Sequence, residues 1–170
     1  MWTPVYVGVG SNLDAPLQQV RRAIQLLGDT GQIASLQCSA PVESQPVGFI
    51  EQPRFINAVV GFLTQWSLIE CHNTLKAIET RMGKVPPKER FGPRIIDLDV
   101  LVFGPTISTD QSLTLPHPRL HERAFVLYPL AQIAPQLLVP GLGSVAKLLQ
   151  ALPPAASEGM VELGYSLMAR

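Results

Sequence analysis

The chain has 170 residues, 46% of them apolar, which suffices for one compact domain with a substantial core and is too short for two ordinary ones. Thirteen basic residues balance thirteen acidic ones, so total charge gives no support to a polyanion or an anionic membrane surface as the main partner. The two cysteines, Cys38 and Cys71, sit in apolar-patterned segments without CxxC or CxxxH spacing, which offers no zinc site and predicts free buried thiols.

Pro4 to Val9 is short, β-branched and aromatic, and it runs through Gly8 and Gly10 into Ser11 and Asn12, a strand followed by turn chemistry. Leu17, Val20, Ile24 and Leu27 recur three and four apart and predict a helix, with Asp14 or Asn12 as its cap, Pro16 in the first turn and Gly28 at the exit. Ile33 to Cys38 is a weaker strand candidate, and Ala40 to Pro53, with three prolines and Gly48, predicts an ordered irregular loop. Phe55 to Leu63 reads as a mostly buried strand. Ser67 and Glu70 then form a capping box for a helix with a Cys71, Leu75, Ile78, Met82 stripe, closed by Gly83 and Pro86-Pro87.

Ile95 to Phe103 is the strongest strand of the sequence. The order strand, helix, strand, strand, helix, strand predicts an α+β fold: a ferredoxin-like βαββαβ core with an antiparallel sheet and both helices on one face. C-terminal helical additions follow. One is a helix ended by Pro135, the other a helix capped by Ser144 with Val145, Leu148, Leu149 and Leu152 on its apolar side; the tail Ala155 to Arg170 has no clear pattern. Residues 1–170 read as a single domain. The N-terminus lacks a basic region before a long apolar run, and no stretch approaches about 18 uninterrupted apolar residues, which predicts a cytoplasmic protein.

Chemistry concentrates in IIDLDVLVF. Strand alternation sends Ile96, Leu98, Val100 and Val102 one way and Asp97 and Asp99 the other, so one face is core and the other carries two carboxylates. Their Cα atoms would stand roughly 7 Å apart, within reach of a shared cation that relieves their repulsion. The alternative is a solvated edge face. Oxygen ligands without a neighbouring His or Cys favour magnesium, completed by phosphates and water. Between Lys76 and Arg94 six basic residues face two acidic ones, and the loop Lys84 to Arg94 leads into the acidic strand, a setting that suits a polyphosphate. His117, Arg119, His121 and Arg123 follow within seven positions, any of which could reach a phosphate. Phe55 and Phe125 read by default as core, while Asn57 shares the Phe55 face and pairs a polar edge with an aromatic platform. GVGSNL has neither the Lys-Ser/Thr of a P-loop nor the spacing of a dinucleotide-binding turn.

Together, VGVGSNLDAPLQQVRRAI, FINAVV, RFGPRIIDLDVLVFG and LPHPRLHERAFVLYPLAQIAP resemble the 6-hydroxymethyl-7,8-dihydropterin pyrophosphokinase family of folate synthesis, in its order and spacing, from about Val5 to Pro135. The resemblance implies diphosphate transfer from ATP to the pterin alcohol with AMP as leaving group. It implies that Asp97 and Asp99 bind two Mg2+ ions on the ATP phosphates, with Asp97 also near the pterin, and that Arg90 and Arg94 join them in the catalytic set. It implies further that Phe55 and Phe125 sandwich the pterin, with Asn57 at its edge beside Ser44, Gln45 and Val47. Lys76, Glu79, Lys84, Arg90, Arg94, His117 and Arg123 would serve the nucleotide. The expected partners are these small molecules, not nucleic acid or membrane, and the expected state is a monomer.

The segment Lys84 to Phe91 resembles the family's substrate-covering loop but departs from its Gly-Arg-x-Arg-x-x-x-Arg-Trp pattern at Lys84, Pro86 and Phe91. Lysine lacks the bidentate fork and proline carries no charge. Three other readings stay open at this stage: an RNA-binding or regulatory ferredoxin-like module, disfavoured by 6% aromatic content and by the acidic pair; a diverged relative with an altered lid; and a metal-dependent phosphohydrolase.

Overall fold

The computed structural model describes residues 1–48 and 50–168. In chain order it contains β1 (Thr3–Ser11), α1 (Pro16–Gly28), β2 (Ile33–Cys38), β3 (Val42–Ser44), β4 (Phe55–Thr64), α2 (Leu68–Arg81) and β5 (Asp97–Phe103). Then come α3 (Ala124–Ile133), β6 (Leu138–Val139), β7 (Gly143–Ser144), α4 (Val145–Gln150) and β8 (Val161–Glu162). Antiparallel pairing gives the order β5-β1-β4-β3-β8, and β2 also pairs with β4. β4 is long enough to carry β2 along its C-terminal half, from Ile33 opposite Thr64 to Cys38 opposite Val60, and β3 along its N-terminal half, with Ser44 opposite Phe55. Counting β2 and β3 as one split strand, this is the ferredoxin-like arrangement the element order predicts.

Hydrophobic periodicity decides the layers. Val20, Ala23, Ile24 and Leu27 of α1 and Cys71, Leu75, Ile78 and Met82 of α2 share one buried cluster with Val5, Val7 and Val9 of β1. The opposite face is covered by the C-terminal additions, where Val126, Leu127 and Leu130 of α3 bury Val59 and Leu101. Both thiols are unpaired, and burial pushes each up to about 12.

Four expectations need correction. First, α1 is not capped by Asp14 or Asn12: its N-cap is Ala15 with φ 63, and no side chain bonds to the end. Asp14 at φ 52 and Ala15 turn the chain through two successive left-handed residues, while the Asn12 amide is spent on loops across the site. Second, the capping box of α2 does form, but the segment before β4 is not wholly irregular, because β3 lies within it. Third, the ladder of β5 begins at Asp97 rather than Ile95.

Fourth, Val102 does not share a face with Leu98 and Val100. The register moves from Val7 opposite Val100 to Tyr6 opposite Val102, so Leu101 is an extra residue. Leu101 and Val102 enter the α3-side core while Leu98, Val100 and Phe103 belong to the α1 and α2 side. The acidic face is therefore open only over its first half, and beyond the bulge it becomes core.

Candidate active site

The register that pairs Gly10 with both Asn57 and Asp97, and Gly8 with Asp99, builds the floor of a cleft on the α3 side of the sheet. Glycine is required at position 10 because a Cβ there would meet Asn57 Oδ1 at 2.8 Å. The two glycines of GVG thus leave room between the acidic strand and β4, a role that alternation of glycine on one strand face could have revealed.

Phe55, Asn57 and Arg94 line the cleft with Asp97, Asp99 and Phe125, and Ser44, Gln45, Val47, His117 and Arg123 line it as well. Phe55 projects from the start of β4 and Phe125 from the first turn of α3, with the cleft between them. Asn57 Nδ2 donates to Ser44 Oγ at 2.8 Å, which fixes the amide at the floor. The Arg94 guanidinium lies over the Phe55 ring at 5.4 Å, and that of Arg123 over Phe125 at 5.6 Å. Aromatic rings and an amide therefore share the cleft with a charged end that holds Asp97 and Asp99, and Arg94 and Arg123 bridge the two.

At the charged end Arg94 Nε stands 2.6 Å from Asp97 Oδ2, a close ion pair whose N–H is not aimed at that oxygen. Lys84 Nζ donates to Asp97 Oδ1 at 2.7 Å and to Glu79 Oε2 at 2.9 Å. Burial works to lower the Lys84 pKa, but Asp97 and then Glu79 outweigh it and hold the ammonium above its ordinary value. Asp99 is half-exposed, with Lys76 Nζ 3.6 Å away. Glu79 lies buried beneath the floor: Oε2 also accepts from the Leu98 N–H at 2.8 Å, and Oε1 pairs with Lys76 at 3.1 Å. Of the residues assigned to the nucleotide, Lys76, Glu79, Lys84 and Arg90 do not line the cleft, although both lysines reach its carboxylates. Arg90 sits in the exposed loop with its cation 4.9 Å from the Phe91 ring.

Three loops meet at Asn12, a residue with no assigned role in the sequence beyond helix capping. Asn12 Nδ2 donates to Gln52 Oε1 and to the Pro53 carbonyl, and Oδ1 accepts from the Arg94 N–H at 2.8 Å. Gln52 Nε2 in turn donates to the Phe91 carbonyl at 2.7 Å. The loop after β3 is thereby joined to the basic loop, and Phe91 closes against Gly48, where a Cβ would stand 2.8 Å from the ring. Such long-range amide bonds leave no local pattern.

His117, which the resemblance assigns to the nucleotide, lines the same cleft as the acidic pair. Its Nδ1 accepts from the Arg119 N–H at 3.3 Å, so the neutral ring carries its proton on Nε2. Burial lowers its pKa, Asp99 opposes the shift, and Arg123 and Arg119 reinforce it. A histidine with a depressed folded pKa makes the unfolded state the better proton acceptor, so stability should be complete above pH 6.5 and fall as pH drops through the folded value. Chemical denaturation of the ligand-free protein between pH 8 and 5, at intervals of about half a unit, should show that decline, and His117→Gln should flatten it.

A profile of the family described as 7,8-dihydro-6-hydroxymethylpterin-pyrophosphokinase (HPPK) matches residues 6–135. The 2-amino-4-hydroxy-6-hydroxymethyldihydropteridine pyrophosphokinase of Pseudomonas aeruginosa is 38% identical over 149 residues, 88% of this chain and 91% of its own. The enzyme of the same name from Haemophilus influenzae is 33% identical, covering 85% of this chain and 90% of its own. A crystal structure of Plasmodium falciparum HPPK-DHPS with pteroate superposes with a TM-score of 0.70 over 88% of this chain at 12% identity, a likeness of fold. The present chain spans 41% of that longer one. With a profile running through both ends of the cleft and relatives this similar over most of their length, the chain belongs to the 7,8-dihydro-6-hydroxymethylpterin-pyrophosphokinase family.

Proposed function

We propose that this protein transfers the diphosphate group of ATP to 6-hydroxymethyl-7,8-dihydropterin, releasing AMP, in folate biosynthesis. The observation that carries the reading is the two-ended cleft: Phe55, Phe125 and Asn57 suit a flat heterocycle with hydrogen-bonding edges, and Asp97, Asp99 and Arg94 stand beside them. Ser44, Gln45 and Val47, which also line the cleft, would complete the pterin end, and His117 and Arg123 would serve the phosphates.

Asp97 and Asp99 present hard oxygen donors on one strand face, and among the described residues no group of three His, Cys, Asp or Glu forms a complete metal cage. That donor set fits Mg2+, which takes one or two carboxylates and fills its remaining positions with phosphate oxygens and water. Two such ions would neutralise phosphate charge and orient the reacting phosphorus. Both Asp97 oxygens face cations in the ligand-free chain, so Lys84 has to move off Oδ1 to free it for a metal. Lys84 belongs to the basic loop, and its release would let Arg90 and the rest of that loop turn toward the polyphosphate. Arg94, already at Asp97 and over Phe55, stands between the pterin and phosphate ends and can stabilise charge that spreads over the transferred group. No covalent intermediate on the protein is required, because positioning and charge supply the rate.

The same reading takes residues 1–170 as one domain, a cytoplasmic monomer acting on small molecules and not on nucleic acid or membrane; among the described residues no helix is long and apolar enough to cross a membrane. The purified protein incubated with ATP, Mg2+ and the pterin should form AMP in step with pterin consumed, read by chromatography. ADP or orthophosphate in place of AMP would overturn the assignment of the transferred group.

A further inference from the structure

The family profile stops at residue 135, yet the segment beyond it returns to the sheet edge next to β3, the strand that carries Ser44 of the cleft. β8 adds to the sheet edge beside β3, with Val42 opposite Glu162 and Glu43 opposite Val161, and the Leu163 N–H donates to the Pro41 carbonyl at 2.9 Å. Further on, Leu167 is buried in the main core, and Arg21 donates to the Ser166 carbonyl at 3.0 Å. The tail is thus fastened on both sides of Glu162.

Glu162 projects toward α3 instead of ending at the strand. Its Oε2 accepts from the Tyr128 O–H at 2.6 Å, and its Oε1 accepts from Gln132 Nε2 at 3.0 Å. Gln132 Oε1 then accepts from the Ala40 N–H at 3.0 Å, just before β3. Tyr128 and Gln132 lie one helical turn apart on α3, and Tyr128 is three residues from Phe125. Through β8, the strand on the other side of the same carboxylate carries Ser44 and leads to Gln45. One charged group on the edge strand β8 therefore ties the helix bearing Phe125 to β3, which bears the polar contacts of the aromatic end.

We propose that Glu162 is a positioning residue for the pterin end of the cleft, acting through Tyr128 and Gln132 to fix the spacing between Phe125 and the β3 side. This rests on the assignment of Phe125 and Ser44 to the pterin. A flat ring between two aromatic walls is sensitive to their separation, because dispersion contact decays within fractions of an ångström. The phosphate end is held by other elements, namely β5, Lys84 and Arg94, so its affinity for nucleotide should not depend on the clamp.

Glu162→Ala should weaken pterin binding, followed by pterin fluorescence without ATP, by about three- to fivefold, the scale of losing solvent-exposed hydrogen bonds to a charged acceptor. The KM for ATP and kcat should stay within about twofold, since neither depends on the clamp. Tyr128→Phe should lose part of the same affinity, and its effect should not add to that of Glu162→Ala. Glu162→Gln, which keeps one acceptor for the Tyr128 hydroxyl, should restore part of the loss. Equal losses for both substrates, or unchanged pterin affinity in Glu162→Ala, would overturn the proposal. Phe125→Ala, measured in parallel, separates the two levels: pterin affinity unchanged there overturns the site assignment itself, whereas a loss there with none in Glu162→Ala overturns the clamp alone.

Discussion

Asp97→Ala combined with Asp99→Ala should abolish AMP formation, lowering kcat by about three orders of magnitude or more, which corresponds to roughly 4 kcal/mol of lost transition-state stabilisation. Both carboxylates stand on the open half of β5, and no third acidic or imidazole ligand completes a cage among the described residues, so the cleft keeps no carboxylate to anchor an ATP-bound divalent ion to the protein once both are gone. The fold should survive. Asp99 is half-exposed, and loss of Asp97 leaves Lys84 with Glu79 and Arg94 over Phe55, a cost of about 1–2 kcal/mol for partly solvated pairs. Circular dichroism melts establish that the variant is folded, and binding of Mn2+ in the presence of ATP provides a readout separate from turnover. A folded double variant that still makes AMP at more than about a tenth of the normal rate would remove the acidic pair from the chemistry.

The fold was most legible where burial follows a period. The helix stripes ending at Leu27 and Met82 predicted the face that each helix presents, and the Ser67 and Glu70 pair predicted where α2 starts. Alternation in β5 correctly separated Asp97 from Leu98 but failed at Leu101, because a bulge inserts one residue without changing composition. β3 and β8 escaped notice for a related reason. Strands of two or three residues have no period of their own and exist through the partner edge they bond to, here Val42 to Glu162 and Asn57 to Val42.

In the site, residues adjacent in sequence could be read and residues adjacent only in space could not. Asp97 and Asp99 declare themselves by spacing, and the basic loop by its approach to them. Asn12 offered only a plausible helix cap, yet its amide spans about forty residues to Gln52 and eighty to Arg94. His117 is assigned to the nucleotide through the family resemblance and not by its own spacing, and it reaches the cleft of the acidic pair because its backbone N–H is held by the Leu101 carbonyl, next to the bulge. Nothing in a tail without periodicity marks Glu162, since its partners are a tyrosine and a glutamine thirty or more positions earlier in the chain.

Glu79 gives the second large effect, and it separates two roles that the resemblance and the structure distribute differently. If this carboxylate served ATP directly, Glu79→Gln would raise the KM for ATP and leave stability nearly unchanged. Its placement argues otherwise. The side chain is 5% exposed, and it accepts the Leu98 N–H between the two aspartates while neutralising Lys84 and Lys76. Glu79→Ala would strand a buried backbone donor and take one carboxylate from each of two lysines, which keep Asp97 and Asp99 as their remaining partners. The cost is about 3 kcal/mol once the partial solvation of the lysines is allowed for, or a fall of roughly 6–12 °C in Tm for a chain of this size. Glu79→Gln keeps an oxygen for the Leu98 N–H but turns an amide toward the lysines, so about half of that loss is expected. Because Leu98 sits between Asp97 and Asp99, slackening its anchor should lower kcat in both variants in the same order as Tm. A Glu79→Gln variant with unaltered Tm and a raised KM for ATP would instead place the carboxylate on the nucleotide and require the floor of the cleft to open when ATP binds.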